Sequence, residues 1–292
     1  MRVQSFCLLV LLALLAWAKP VRAAESYDNC TGFIASLPAV ISTQGTWCFN
    51  KDLNTAVTSG QAITISTNNV TIDCNNFKLG GLAAGLGTQA TGIYASDHFN
   101  ATVRHCSIRG FFYGIWLRGT TGSSTGGHAV EDNRLDGNTY TGLVVEGDGS
   151  VVRRNRVFDT GGSTAGFPGA YAIAAGYSVD ILDNTVSGAL ATSGSNGNAW
   201  GIVTSYLSDG SSVNGNRVRG LLKDGTGTAH GIHIGNVGHV NLRSNDLIGD
   251  ASVNSFGVYC TGVEDRLKDN LIGHFEGAYA FCGDAGGNDI TP

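Results

Sequence analysis

Three ionisable side chains are spaced for joint chemistry in this chain: His98, Arg118 and Glu146. Arg118 and Glu146 follow Gly114 and Gly142 at the same offset, and His98 stands a little further past Gly92. A guanidinium there suits a planar anion such as a carboxylate or sulfate. A carboxyl or an imidazole beside it moves protons. The plainer alternative is a surface ion pair between Arg118 and Glu146, worth about 0–1 kcal/mol. Two residues after those glycines and their equivalents runs a line of Tyr94, Trp116, Val144, Ala174, Val203, His233, Tyr259 and Tyr279. Two aromatic clusters flank a stretch of small residues, which leaves stacking surfaces with room between them. His230, His233 and His239 form a second group with metal or acid–base potential. The odd step from His230 to His233 puts them on opposite faces of one strand, which weakens joint ligation. No C-x-x-C or close Cys/His grouping exists either, so neither a metal nor another cofactor is expected.

These residues are held by a repeat. Gly-Ile-X recurs through the column Gly92, Gly114, Gly142, Ala172, Gly201, Gly231, Gly257, Gly277. Val-X-X-Asn-X-Ile gives a second column: Asn75, Cys106, Asn133, Asn155, Asn184, Asn216, Asn245, Asn270. The steps of the second column run from 22 to 32 residues. A period in this range marks a stacked repeat architecture. Positions one and three after each glycine are apolar, and the one between is not uniformly so. That alternation is the strand signature, with odd positions inward. Val103, Val130, Val152, Ile181, Val213, Leu242 and Leu267 behave likewise before the asparagine column. Asparagine suits the intervening turn because it tolerates a left-handed backbone, and stacked amides can bond one another. Helical solenoids are disfavoured, since no interior segment has a long 3.6-residue period. Residues 26–62 lack the repeat and read as a cap. The predicted organisation is signal peptide 1–23, cap segment 24–62, solenoid 63–285 and tail 286–292.

Composition fits an exported chain. Arg2, the apolar run Leu8 to Ala18, and Val21-Arg22-Ala23 predict a secretory signal cleaved near Ala23, hence a secreted or periplasmic protein. No later stretch is long and apolar enough for a membrane span. Without Arg2, Lys19 and Arg22, 15 basic face 23 acidic residues, a net charge near −8. Such a surface does not attract nucleic acid. Six cysteines follow the signal: Cys30, Cys48, Cys74, Cys106, Cys260 and Cys282. An even number in an oxidising compartment predicts disulfides. The repeat register brings Cys74 to Cys106 and Cys260 to Cys282, leaving Cys30 with Cys48. The outward charges on the asparagine side alternate in sign from coil to coil: Arg104, Glu131, Arg153, then His105, Asp132, Arg154, Asp183. They read as register-fixing ladders.

The two repeat phrases together resemble the right-handed parallel β-helix repeat of the pectate-lyase-like superfamily. Gly45-Thr46-Trp47-Cys48-Phe49 through Val70-Thr71-Ile72-Asp73 is similar to the usual entry into that fold. The resemblance covers about residues 40–285. It implies an all-β, right-handed parallel β-helix of about eight coils with an N-terminal cap. It also implies that the outward face of the Gly-Ile strands meets sugars. Tyr94, Trp116, Tyr259 and Tyr279 are then the substrate-binding candidates; His98, Arg118, Glu146 and His233 are the catalytic ones.

The superfamily's catalytic motifs are incomplete here. Ala229-His230-Gly231-Ile232-His233-Ile234-Gly235 is similar to the Gly-His-Gly-X-Ser-X-Gly stretch of polygalacturonase-type hydrolases. Their Asn-Thr-Asp and adjacent Asp pair are missing, and with them the paired carboxylates of inverting hydrolysis. The Asp-Pro-His-Asp of alginate epimerases is absent, since Asp97-His98 has no proline beside it. The calcium-binding acidic cluster of pectate lyases and the nonapeptide calcium repeat are absent as well. The expected function is interaction with an extracellular or periplasmic polysaccharide, with lyase, epimerase or hydrolase action open. The competing expectation is a non-catalytic structural or surface-adhesion module. The sequence leaves the oligomeric state open.

Overall fold

The computed structural model describes residue 27 and residues 29–291, apart from 120–124, 206–208, 236–238 and 263. The signal segment lies outside the described residues. Three parallel sheets of 11, 10 and 10 strands form the chain into a β-helix. Each coil contributes one strand per sheet, in a fixed order. A strand of the glycine column comes first, such as Thr91–Ser96. The strand before the asparagine turn follows, such as Ala101–Arg104. A third strand, such as Ser107–Arg109, closes the coil. These three families form the glycine sheet, the second sheet and the third sheet. Among the described residues no helix is long and apolar enough to cross a membrane.

The hydrophobic columns are the core. Ile93, Ile115, Leu143, Ile173, Ile202, Ile232 and Val258 stack in register through the glycine sheet and are 0% exposed. Val103, Val130, Val152, Ile181, Val213, Leu242 and Leu267 do the same in the second sheet. One coil cannot bury such a face alone, so each neighbour supplies the next layer of the same core. The segment ahead of the repeat joins the stack too. Its strands Ala39–Ile41, Gly45–Cys48 and Leu53–Asn54 pair parallel with the first full coil, and Phe49 is buried at that end.

The asparagine column is a buried ladder. From Asn133 to Asn270, each amide nitrogen donates to the next Asn Oδ1 at 2.9–3.1 Å. Each also donates to a carbonyl of the preceding coil, as Asn184 does to Val152 O at 2.9 Å. The backbone N–H of each donates to the same Oδ1 of the next, as Asn155 does to Asn184 at 2.9 Å. Asn288 extends the ladder by one rung beyond Asn270.

Two details differ from the sequence expectation. The left-handed residue is the one before each asparagine: Asp132 at φ 56°, Arg154 at 54°, Asp183 at 56°. The asparagine's own backbone is ordinary, and its side chain carries the turn. Asn75 is not in the column. The first turn is longer, Asn75 donates to Phe49 O at 3.1 Å, and Cys74 takes the column position against Cys106.

All three expected disulfides form: Cys30–Cys48, Cys74–Cys106 and Cys260–Cys282. The charge ladders form ion pairs at one rung each, with Arg153 on Glu131 at 2.6 Å and Arg154 on Asp132 at 2.7 Å. Arg104 pairs with Asp73 at 2.8 Å.

Candidate functional site

The glycine column shapes the outward face. A Cβ at Gly114 would lie 2.4 Å from the carbonyl oxygen of Gly142, and one at Gly231 would lie 2.5 Å from that of Gly257. The backbones of successive coils therefore pinch together at this column, and strand pairing skips it: Tyr113 pairs with Thr141, then Ile115 with Leu143. A pinch of this kind breaks strict alternation, as a bulge does. The residue before the glycine and the residue two after it then share one face. Tyr113 and Trp116 lie with ring centroids 4.7 Å apart. His230 and His233 meet at Nδ1···Nδ1 2.8 Å. The expectation that those two histidines face opposite sides is thus corrected: the period-two rule does not run across the pinch.

The result is a cavity of about 290 Å³ on the glycine sheet. Its floor is Val144, Ala174 and Val203. These are the small residues of the outward line, on three adjacent strands. Trp116 bounds one axial end and Trp200 the other. Tyr113, Tyr140 and Tyr171 make one side, and Glu146 and Ser205 also line the cavity.

Trp200 is braced from behind. Its ring lies parallel to His233 at 4.0 Å and 7°, and His233 lies parallel to Tyr259 at 5.3 Å and 3°. His230 is stacked in the same column, 4.8 Å from Tyr259. The Trp200 indole N–H donates to Thr228 Oγ1 at 2.9 Å, which fixes the ring's rotation. The tyrosine side is reinforced as well. Tyr140 stacks on Phe112 at 4.6 Å, and Phe167 from the loop after residue 161 packs against both. Tyr171 is hydrogen-bonded to the side chains of Tyr140 and Asn198.

Glu146 is the ionisable centre. Burial pushes its carboxyl above the usual carboxylate range, against the pull of the Trp116 N–H and the Arg118 charge. The Trp116 indole donates to Glu146 Oε2 at 3.5 Å. Burial also raises the Tyr113 phenol, with Glu146 adding to the rise. Tyr140 and Tyr171 are raised chiefly by burial. All three phenols are therefore protonated donors at neutral pH.

The candidate residues fare differently. Trp116 and Glu146 meet in the cavity, and Tyr94 supports Trp116 edge-on at 5.6 Å. Arg118 is exposed and sits over the Trp116 ring at 5.9 Å, without an ion pair to Glu146. His98 lies past the end of its strand and is felt by His128 in the adjoining turn, outside the cavity lining. Burial pushes His230 down to about 3 and His233 to about 4, so both are neutral and serve as stacked rings. Among the described residues no three His, Cys, Asp or Glu side chains group to hold a metal ion.

Tyr259 belongs to the stack behind Trp200. Tyr279 does not join it. The last strand slips by one residue, so Tyr279 pairs with Val258, and Tyr259 with Ala280. The Tyr279 hydroxyl donates to Asp284 Oδ2 at 3.0 Å instead, and Phe281 packs on Tyr259 at 5.5 Å.

Tyr113, Tyr140, Tyr171 and Trp200 are functional candidates that the period-two reading missed. For all but Tyr140 the signal was present: Tyr113, Tyr171, Trp200, His230 and Phe256 immediately precede the glycine column. Aromatic residues do not occur at the aliphatic core positions beside them.

No protein-family model and no curated protein sequence matches the chain. Similar solved structures include an alginate lyase from Paenibacillus sp. str. FPU-7, at 12% identity and TM-score 0.49 over 90% of this chain and 98% of that one. A tailspike protein of E. coli bacteriophage HK620 matches at 11% identity and TM-score 0.47, over 91% of this chain and 58% of that one. XylC in complex with xylose matches at 10% identity and TM-score 0.41, over 80% of this chain. This chain spans 38% of the length of XylC. Fold and function separate at such distances. The chain is a parallel β-helix by its own structure, and its chemistry is read from its own cavity.

Proposed function

We propose that this protein is an exported β-helix that binds a polysaccharide at the cavity between Trp116 and Trp200. One observation carries the reading: two indole walls and three phenols converge over a floor of small side chains, around one carboxyl among the described residues. Pyranose rings present apolar C–H faces and a rim of hydroxyls. Aromatic faces take the former, while phenols, Ser205 and Glu146 bond the latter. The strand spacing of about 4.8 Å is close to the length of one pyranose unit, which suits a chain laid over successive coils. Three disulfides accord with export into an oxidising compartment.

A polysaccharide panel, read both for binding and for new reducing or unsaturated ends, tests this. Trp116→Ala and Trp200→Ala should each weaken binding about 10- to 30-fold, as truncation of a buried aromatic anchor does. Glu146→Gln in the same panel reports whether any bond change depends on the carboxyl. Full binding by both tryptophan variants, with melting unchanged, would sink the proposal.

A further inference from the structure

We infer that the cavity takes a neutral saccharide and holds it uncut. This deepens the proposed polysaccharide site and rests on that reading. The first observation is a charge census. No lysine or arginine among the described residues lines the cavity, and its one acidic side chain is Glu146. Arg118, the cation felt by Glu146, is exposed and sits over the Trp116 ring at 5.9 Å, outside the cavity lining. The internal stretches 120–124, 206–208, 236–238 and 263 contain no Asp, Glu, Lys, Arg or His. A uronate or sulfate seated between the indoles would therefore be partly desolvated beside a carboxyl, with no cation in the cavity lining to meet it. Burying an unpaired charge is costly, and a like charge adds to the cost. A neutral pyranose has no such penalty, and its hydroxyls find acceptors and donors on every polar group present.

The second observation concerns bond cleavage. Hydrolysis by inversion or retention uses two carboxyl groups across the scissile bond. The cavity holds one, among the described residues. Elimination and epimerisation remove a C–H proton acidified by an adjacent carboxylate, which a neutral sugar lacks. The nearby histidines are neutral, and His233 is covered by Trp200 and Tyr259. Recognition without turnover is what the remaining groups support.

The test is calorimetric titration of the intact protein with cellohexaose, xylohexaose and mannohexaose, against hexamers of galacturonate and mannuronate. Products are examined by chromatography after long incubation. At least one neutral hexamer should bind ten times or more tighter than either uronide and be recovered intact. Trp200→Ala, with unchanged melting, should lose that binding. Glu146→Gln should narrow the preference by easing the repulsion of uronides. Tighter binding of a uronide, or chain shortening of any hexamer, overturns the inference while leaving the saccharide site standing. Failure of every hexamer to bind the folded protein overturns the saccharide reading beneath it.

Discussion

Asn184→Ala should lower the unfolding free energy by about 3–5 kcal/mol, the range for breaking a buried hydrogen-bond network. Asn184 is 1% exposed and sits mid-ladder. Its amide donates to Val152 O at 2.9 Å and Asn216 Oδ1 at 3.0 Å. Its Oδ1 accepts from both nitrogens of Asn155, at 2.9 and 3.0 Å. Alanine removes all four bonds and leaves partners in a place water does not reach. Each orphaned group costs about 1–3 kcal/mol, and some relaxation trims the sum. Denaturant unfolding measures the change. A loss under about 1 kcal/mol would mean that the ladder is not a principal tie between coils.

Asp265 gives the next largest effect, and its sign depends on pH. The residue is 0% exposed, immediately before its coil's strand Arg266–Lys268 in the second sheet. Its Oδ1 accepts the Val240 N–H at 3.0 Å, while Oδ2 has no partner among the described residues. Burial pushes the carboxyl up to about 6, with Glu264 adding a little and His239 opposing. A pKa raised by folding favours the folded state while both states are protonated. That contribution is present below the unfolded value near 3.8 and is lost as pH rises through about 6. The loss by pH 7 is on the order of 2–3 kcal/mol.

Asparagine mimics the protonated acid and keeps the acceptor for Val240. Asp265→Asn should therefore be more stable than the parent at pH 7 and nearly equal to it at pH 4. The difference between the two proteins isolates Asp265 from the exposed His239, Asp209 and Glu264 pairs. A variant less stable than the parent at pH 7 would show that the carboxylate has a favourable partner.

The fold was legible because hydrophobic columns obey a short-range rule. Ile93 and its equivalents alternate with outward residues within one strand, and the repeat carries that assignment from coil to coil. Two of the three disulfides followed from the same register, and Cys30 with Cys48 was what remained. Errors came where the spacing changed. The first turn has extra residues between Asp73 and Lys78, so Asn75 fell out of the column. The last strand slips by one, which took Tyr279 from the outward face.

The site was half legible. Trp116 and Glu146 lie after the glycine, where alternation holds. Tyr113, Tyr171 and Trp200 lie before it, across a backbone pinch that only coil-to-coil contact creates. Gly114 and Gly142 announced that pinch in the sequence, but not its consequence for the residue ahead of them. Arg118 and His98 were placed by strand position alone, and nothing in the spacing said that one would lie over an indole and the other beyond the strand's end.

The most direct measurement is a crystal structure of the protein soaked with the neutral hexamers. The predicted result is a pyranose against the exposed face of Trp200, over Ala174, with a hydroxyl on Glu146. A saccharide bound elsewhere on the rod, or a cavity left empty at saturating sugar, would contradict the account.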